Sequence, residues 1–98
     1  KEQEYSIGPF NFSGIKTPGH KEDAVSFYFK KEKMLFSGDF LFYETVGRCD
    51  LPGGSIEDMQ RSIDKIKKYP HDIKVYPGHG ISTTLEHEIE NNIYFREE

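Results

Sequence analysis

Three short stretches of the chain place a potential metal ligand directly after a glycine: Thr17-Pro18-Gly19-His20, Ser37-Gly38-Asp39 and Tyr76-Pro77-Gly78-His79-Gly80. Each follows a run of residues that favours extended backbone. Loops leaving the ends of neighbouring strands converge on one edge of a sheet, and glycine permits the tight turn and close approach that a crowded site needs. Two imidazoles and one carboxylate could then meet around a cation. That donor mix suits zinc, iron or manganese better than calcium, because imidazole favours transition metals and calcium takes oxygen alone. Asp39 ends the apolar run Met34-Leu35-Phe36; partly desolvated there, it requires a cation or several donors. A histidine after a glycine is also ordinary turn composition, so spacing alone leaves both readings open.

The elements that must carry these loops are legible as periodicities. The first five residues form a polar lead-in. From Tyr5 to Lys16, Ile7, Phe10, Phe12 and Ile15, interrupted by Gly8-Pro9 and Ser13-Gly14, predict two short extended pieces joined by turns. Ala24 to Phe29 is almost continuously apolar, Lys30 to Lys33 is a charged turn and Met34-Leu35-Phe36 resumes the run. That pattern predicts a β-hairpin buried on both faces. Ile73 to Tyr76 predicts a short strand ending at Pro77-Gly78. A helix follows Ser55, with Asp58 three residues on as in a capping box, an apolar stripe of Ile56, Met59, Ile63 and Ile66, and a stop at Pro70. A second helix is expected from about Thr84 to Phe95, capped by Thr83 and Glu86, with Leu85, Ile89 and Ile93 as its apolar face. The stretch from Phe40 to Gly54 is predicted to be a site-forming loop.

Composition bounds the rest. At 98 residues and 11.4 kDa the chain is one small domain at most. Net charge of −4 and a pI near 5.6 argue against nucleic acid as a partner, and no stretch approaches the ~20 apolar residues of a membrane span. The single Cys49 cannot form an internal disulfide, which makes the cytoplasm the expected location. The apolar share, glycine included, falls below the ~45–50% of an ordinary domain. The sequence opens at Lys1 with no initiator methionine, so a longer parent protein is expected.

The ordered set of motifs resembles the C-terminal half of a metallo-β-lactamase-fold hydrolase. It comprises Thr17-Pro18-Gly19-His20, Ala24 to Tyr28, Leu35 to Phe42, Val46 to Ser55, and Val75 to Gly80 followed by Thr83-Thr84. Within that superfamily it is most similar to the single-domain glyoxalase II-like (hydroxyacylglutathione hydrolase-like) branch. The resemblance implies an α/β fold in which residues 1–98 form half of an αββα sandwich, one mixed sheet with about two covering helices. It implies two divalent metal ions, zinc first, with iron or manganese as alternatives. His20 corresponds to an imidazole on the first metal, Asp39 to the carboxylate bridging the two metals and hence the catalytic residue, and His79 to an imidazole on the second. In that family a hydroxide held between the metals attacks a thioester carbonyl while the cations stabilise the developing oxyanion. Gly47-Arg48-Cys49-Asp50 resembles the family's Gly-Arg-Thr-Asp loop, with Arg48 and Asp50 expected to fix the loop and Cys49 not to act as a nucleophile.

Departures from the family pattern shape the remaining expectations. The family's other ligands come from a His-x-His-x-Asp-His motif in the N-terminal half, which does not occur in these residues. His71, after Pro70, reads as an exposed loop residue. His87 begins a zincin-like spacing that ends in Asn91 rather than histidine. Three ligands split between two metal positions do not complete a binuclear centre, so residues 1–98 alone are expected to be inactive. An inner sheet face bearing some of Phe27, Phe29, Leu35, Phe36 and Val75 would lack its partner sheet. The expected partners are therefore the N-terminal half of the same fold or a self-associated copy, beside a small-molecule thioester. The alternative functions are a mononuclear-iron persulfide dioxygenase on the same fold and a non-catalytic association module.

Overall fold

In the computed structural model, which describes residues 3–96, the first four strands run in sequence order as an antiparallel meander. β1 (Gln3–Ile7) turns at Gly8-Pro9 into β2 (Phe10–Lys16); β3 (Val25–Phe29) returns beside β2, and β4 (Met34–Gly38) beside β3. A separate hairpin of β5 (Leu41–Phe42) and β6 (Thr45–Val46) follows. The chain then passes through α1 (Ile56–Ile66) to β7 (Lys74–Pro77), which lies parallel to β4. β8 (Thr83–Thr84) pairs antiparallel with β7 and runs directly into α2 (Leu85–Asn91), after which Ile93–Phe95 make one 3-10 turn. The main sheet has the order β1-β2-β3-β4-β7-β8. It is mixed, with one parallel pair, and two helices accompany it, as expected.

The N-terminal expectation changes in two respects. Gln3, Glu4 and Tyr5 belong to a strand rather than a lead-in, while Lys1 and Glu2 lie outside the described residues. Ser13-Gly14 continues β2 with no turn. Gly14 is needed for a different reason: a Cβ there would stand 3.1 Å from the Tyr5 ring, so the glycine leaves room for that aromatic.

The central hairpin is not buried on both faces. Ser26, Tyr28, Leu35 and Ser37 are buried, whereas Val25, Phe27 and Phe36 alternate with them and are exposed. Period-two alternation on a sheet covered on one side accounts for this. Leu35 and Val75, paired in register, belong to the helix-covered face and are 0% exposed. They join Ile15, Tyr28, Ile73, Phe40, Leu41, Leu85 and Phe95 in one core. The opposite face carries Tyr5, Phe12, Phe27, Phe29, Phe36 and Tyr76 in a chain of stacked and edge-on ring contacts.

Both helices start on a hydroxyl cap. The Ser55 Oγ accepts from Asp58 N at 3.1 Å, with Glu57 and Asp58 in the first turn complementing the helix dipole. Met59, Ile63 and Ile66 enter the core, and the Ser62 hydroxyl between them donates to the Pro18 carbonyl at 2.7 Å. Ile56, at the first helical position, is left 74% exposed. In α2 the cap is Thr84, whose Oγ1 accepts from His87 N, and not Thr83. Asn92 leaves the helical conformation and caps the 3-10 turn through Tyr94 N. The apolar stripe is therefore cut short: Ile93 is exposed and Phe95 takes the buried place. Truncating Ile63 to Ala removes atoms from the closed core and should cost about 3 kcal/mol in urea denaturation. Ile56→Ala should stay within about 0.5 kcal/mol.

Candidate metal site

The parallel pair β4–β7 sends two chain ends over the same edge of the sheet. Asp39 is the residue after β4, and His79 lies two residues beyond β7. Because β2, β3 and β4 alternate in direction, the end of β2 reaches that edge too, and the loop following it carries His20. All three predicted ligands therefore meet. The Asp39 carboxylate lies between the imidazoles, Oδ2 at 3.8 Å from His20 Nε2 and Oδ1 at 3.4 Å from His79 Nδ1. Its two oxygens face two different rings. Each candidate ion position thus receives one imidazole and a share of one carboxylate. Among the described residues no group of three or more His, Cys, Asp or Glu side chains is disposed around a single point.

His20 is held more firmly than His79. Its Nδ1 lies 2.8 Å from the Arg48 carbonyl, a contact in which the ring nitrogen donates, and its Nε2 is turned towards Asp39. Metal-binding histidines are commonly oriented in this way, by a carbonyl on the far ring nitrogen. The His20 side chain is 18% exposed, Asp39 48% and His79 82%. His79 meets the Phe42 ring at a centroid distance of 6.3 Å.

Close main-chain approaches make this arrangement possible. Gly78 N donates to the Gly38 carbonyl at 2.9 Å, bringing the two ligand loops together. A Cβ on Gly47 would stand 2.0 Å from the Asp39 carbonyl oxygen and 3.0 Å from His20 Cβ, so only glycine fits across the back of both ligands. Gly19, at φ +152°, abuts the Met59 backbone, and its carbonyl accepts from Ser55 N at 2.8 Å. The start of α1 is thereby tied to the His20 loop. The role of Gly47 could have been suspected from the motif around Arg48; its contact with Asp39 could not.

Arg48 and Asp50 pair through two hydrogen bonds, Nε to Oδ1 at 2.8 Å and Nη2 to Oδ2 at 3.0 Å, which orders the loop as expected. The guanidinium holds the Asp50 carboxyl below the usual carboxylate range. Burial, then the Asp50 charge, pushes the Cys49 thiol up, and its Sγ contacts the Gly47 carbonyl. A raised thiol with no base beside it is a poor nucleophile. His71 is exposed against the Lys67 carbonyl, and His87 pairs with Glu44 at 2.7 Å and stacks on Tyr43. Neither joins the three ligands. No helix among the described residues is long and apolar enough to cross a membrane.

The family profile of the Metallo-beta-lactamase superfamily matches residues 2–79. A probable metallo-hydrolase of Streptococcus pyogenes serotype M6 is 42% identical over 96% of this chain and 41% of its own length. A hydroxyacylglutathione hydrolase of Francisella tularensis subsp. novicida is 40% identical over 76% of this chain and 29% of its own. The crystal structure of the BLEG-1 B3 metallo-beta-lactamase superposes with a TM-score of 0.93 at 42% identity, covering 99% of this chain and 47% of that one. The chain spans less than half the length of each of these proteins.

The glycine contacts give a direct test. Gly53, at φ +87° in open space, should lose about 1 kcal/mol on replacement by Ala, from backbone strain alone. Gly47→Ala forces a methyl group onto the Asp39 carbonyl and should lose about 3 kcal/mol, with the two values compared by urea denaturation.

Proposed function

We propose that this chain, which belongs to the metallo-beta-lactamase superfamily, is the C-terminal half of a metal-dependent hydrolase that cleaves a thioester of the hydroxyacylglutathione type. One observation carries the reading: a single carboxylate, Asp39, presents its two oxygens to imidazoles from two different loops. That is the donor arrangement of a carboxylate shared between two cations. The hydroxyacylglutathione hydrolase relative supports the substrate class.

The residues fit two divalent ions. His20 and Asp39 would hold one, and Asp39 and His79 the other; imidazole with carboxylate suits zinc first, with iron or manganese as alternatives. When bound, such ions generate a nucleophile at neutral pH and polarise the carbonyl under attack. The chain's own residues do the rest. Asp39 brings one negative charge to the midpoint of the site. The Arg48 carbonyl takes a hydrogen bond from the His20 Nδ1 and so turns Nε2 towards the site, and Gly47 closes the back of the site. His79, the most exposed of the three, lies on the side open to a substrate.

Catalytic zinc sites ordinarily take three protein ligands for each ion, and these residues offer two for each position. The remaining ligands are proposed to come from the N-terminal half of the fold, seated on the aromatic face of the sheet. That face exposes Tyr5, Ile7, Phe27 and Phe36 around a cavity of about 610 Å³. The fold neighbour contains roughly as much chain again as the part matched here. A cytoplasmic location accords with the one free, half-buried Cys49.

Two measurements check this reading. In the full-length protein, Asp39→Asn should lower thioester hydrolysis by about 10²-fold or more, the scale of removing one preorganised charge contact at a reacting centre, with loss of bound metal. His71→Ala should leave both unchanged; equal activity of the Asp39 variant would sink the assignment. In sedimentation, residues 1–98 alone should self-associate without hydrolysing thioesters, and should form a single complex when the N-terminal half is supplied. A stable, cooperatively folding monomer that ignores the N-terminal half would overturn the proposed partner.

A further inference from the structure

Glu88 is fully buried, and the chemistry proposed above makes no use of it. Its oxygens are nevertheless closely engaged. Oε1 accepts from Glu44 N at 2.9 Å and from Asn92 Nδ2 at 2.8 Å, and Oε2 accepts from the Thr83 hydroxyl at 2.8 Å. Asn92, also 0% exposed, reaches in addition to the Thr45 carbonyl at 3.2 Å. Burying a carboxylate costs several kcal/mol unless its lone pairs are met. The gain here is a specific one: Glu88 of α2 and Asn92 just beyond it grip two consecutive residues of the β5–β6 hairpin, Glu44 and Thr45, while Thr83 of β8 holds the second oxygen of Glu88.

That hairpin has strands of two residues each and cannot stand alone. Its tip residue Glu44 adopts φ +60°, a left-handed conformation costing a non-glycine residue about 1–2 kcal/mol. The bond from Glu44 N to Glu88 and the bond between the Glu44 carboxylate and His87 hold it there. From the tip, β6 leads straight to the metal site. Gly47 N donates to the Phe40 carbonyl at 3.1 Å, Gly47 presses on the carbonyl of Asp39, and the next carbonyl, that of Arg48, meets His20 Nδ1.

We propose that Thr83, Glu88 and Asn92 are positioning residues for the metal site: by anchoring the hairpin they place the Arg48 carbonyl against His20 and so fix which ring nitrogen is free to bind metal. The inference rests on the reading of His20 as a ligand. It goes beyond that reading by assigning a function to buried Glu88 and Asn92 and half-buried Thr83, whose hydrogen bonds reach none of the three ligands.

The test reads the His20 tautomer in chelator-treated full-length protein, by nitrogen-correlated NMR of the imidazole in its neutral form. The parent protein should show Nδ1–H at His20. Glu88→Ala and Asn92→Ala should give a mixture with Nε2–H, and zinc affinity should fall about 10–100-fold, the usual cost of removing an outer support from a ligand. Glu88→Gln keeps the oxygen that meets Glu44 and Asn92 and offers an amide to the Thr83 hydroxyl, so it should retain the Nδ1–H form and near-parental affinity. If Glu88→Ala fails to fold, Thr83→Val, which leaves two of the three donors, should shift the tautomer part of the way. An Ile63→Val control loosens the core without touching the hairpin and should leave the tautomer alone. The proposal is overturned if His20 keeps its tautomer in every folded clamp variant, or if the Ile63 control shifts it equally. A parent protein that binds no metal would refute the ligand reading and the proposal with it, whereas a parent that binds metal while every clamp variant keeps its tautomer and affinity refutes the proposal alone.

Discussion

Strands β4 and β7 lie side by side and parallel, Leu35 opposite Val75 and Gly38 opposite Pro77. A parallel pair cannot be closed by a tight turn; the chain must leave the sheet, cross one face and return. Here the crossing contains the β5–β6 hairpin, the loop with Arg48 and Asp50, and α1. It supplies both the cover of the core and the back wall of the site. Parallel pairing also fixes which ends coincide: Asp39 and His79 leave the sheet over one edge because their strands point the same way. The antiparallel meander before β4 then determines that the end of β2, and with it His20, arrives there as well.

At that edge the protein is assembled first from main chain and only then from side chains. Gly78 lies against Gly38, Gly47 against Asp39, and Gly19 against Met59. Any Cβ at Gly47 or Gly19 would overlap its neighbour. The glycines before His20 and His79 are thus tied to packing at this edge, whereas Gly38, before Asp39, faces open space and is required instead by its φ of +54°. The gradient of exposure from His20 through Asp39 to His79 follows from this construction. His20 is closed in by the Arg48 carbonyl, and the glycine before it is packed on α1, whereas His79 extends from a strand end beside Asp39 and the Phe42 ring and stays largely exposed.

Sequence legibility was highest where a local signal matched the tertiary demand. The three Gly-ligand motifs, the Ser55 cap with Asp58, and the Met59, Ile63 and Ile66 face could all be named from residue type and spacing. The resemblance to a known hydrolase family supplied the roles that spacing could not. What escaped was non-local. Apolar runs such as Val25–Phe29 do not reveal whether one face or two will be covered, because Phe27 and Tyr28 are similar as residues and differ only in what packs on them. α2 ends at Asn91, short of the expected Phe95, because Asn92 caps a new turn instead of continuing the helix, exposing Ile93. Glu88 was invisible to a reading that sought apolar residues on the inner face, although Leu85, Glu88 and Asn92 follow helical spacing; a charged residue in that series was the one available hint.

Connectivity gives the parallel pair a kinetic meaning as well. The β1–β4 meander joins strands adjacent in sequence, while Leu35 and Val75 lie 40 residues apart. Bringing distant segments together carries a loop-closure entropy that neighbouring strands largely avoid, and non-local pairing of this kind slows folding. The pairings of the meander are local, and the site edge is complete only with β7 on β4. Ligand geometry thus depends on the most distant strand pairing in the sheet, whereas most of the aromatic face is built by strands adjacent in sequence.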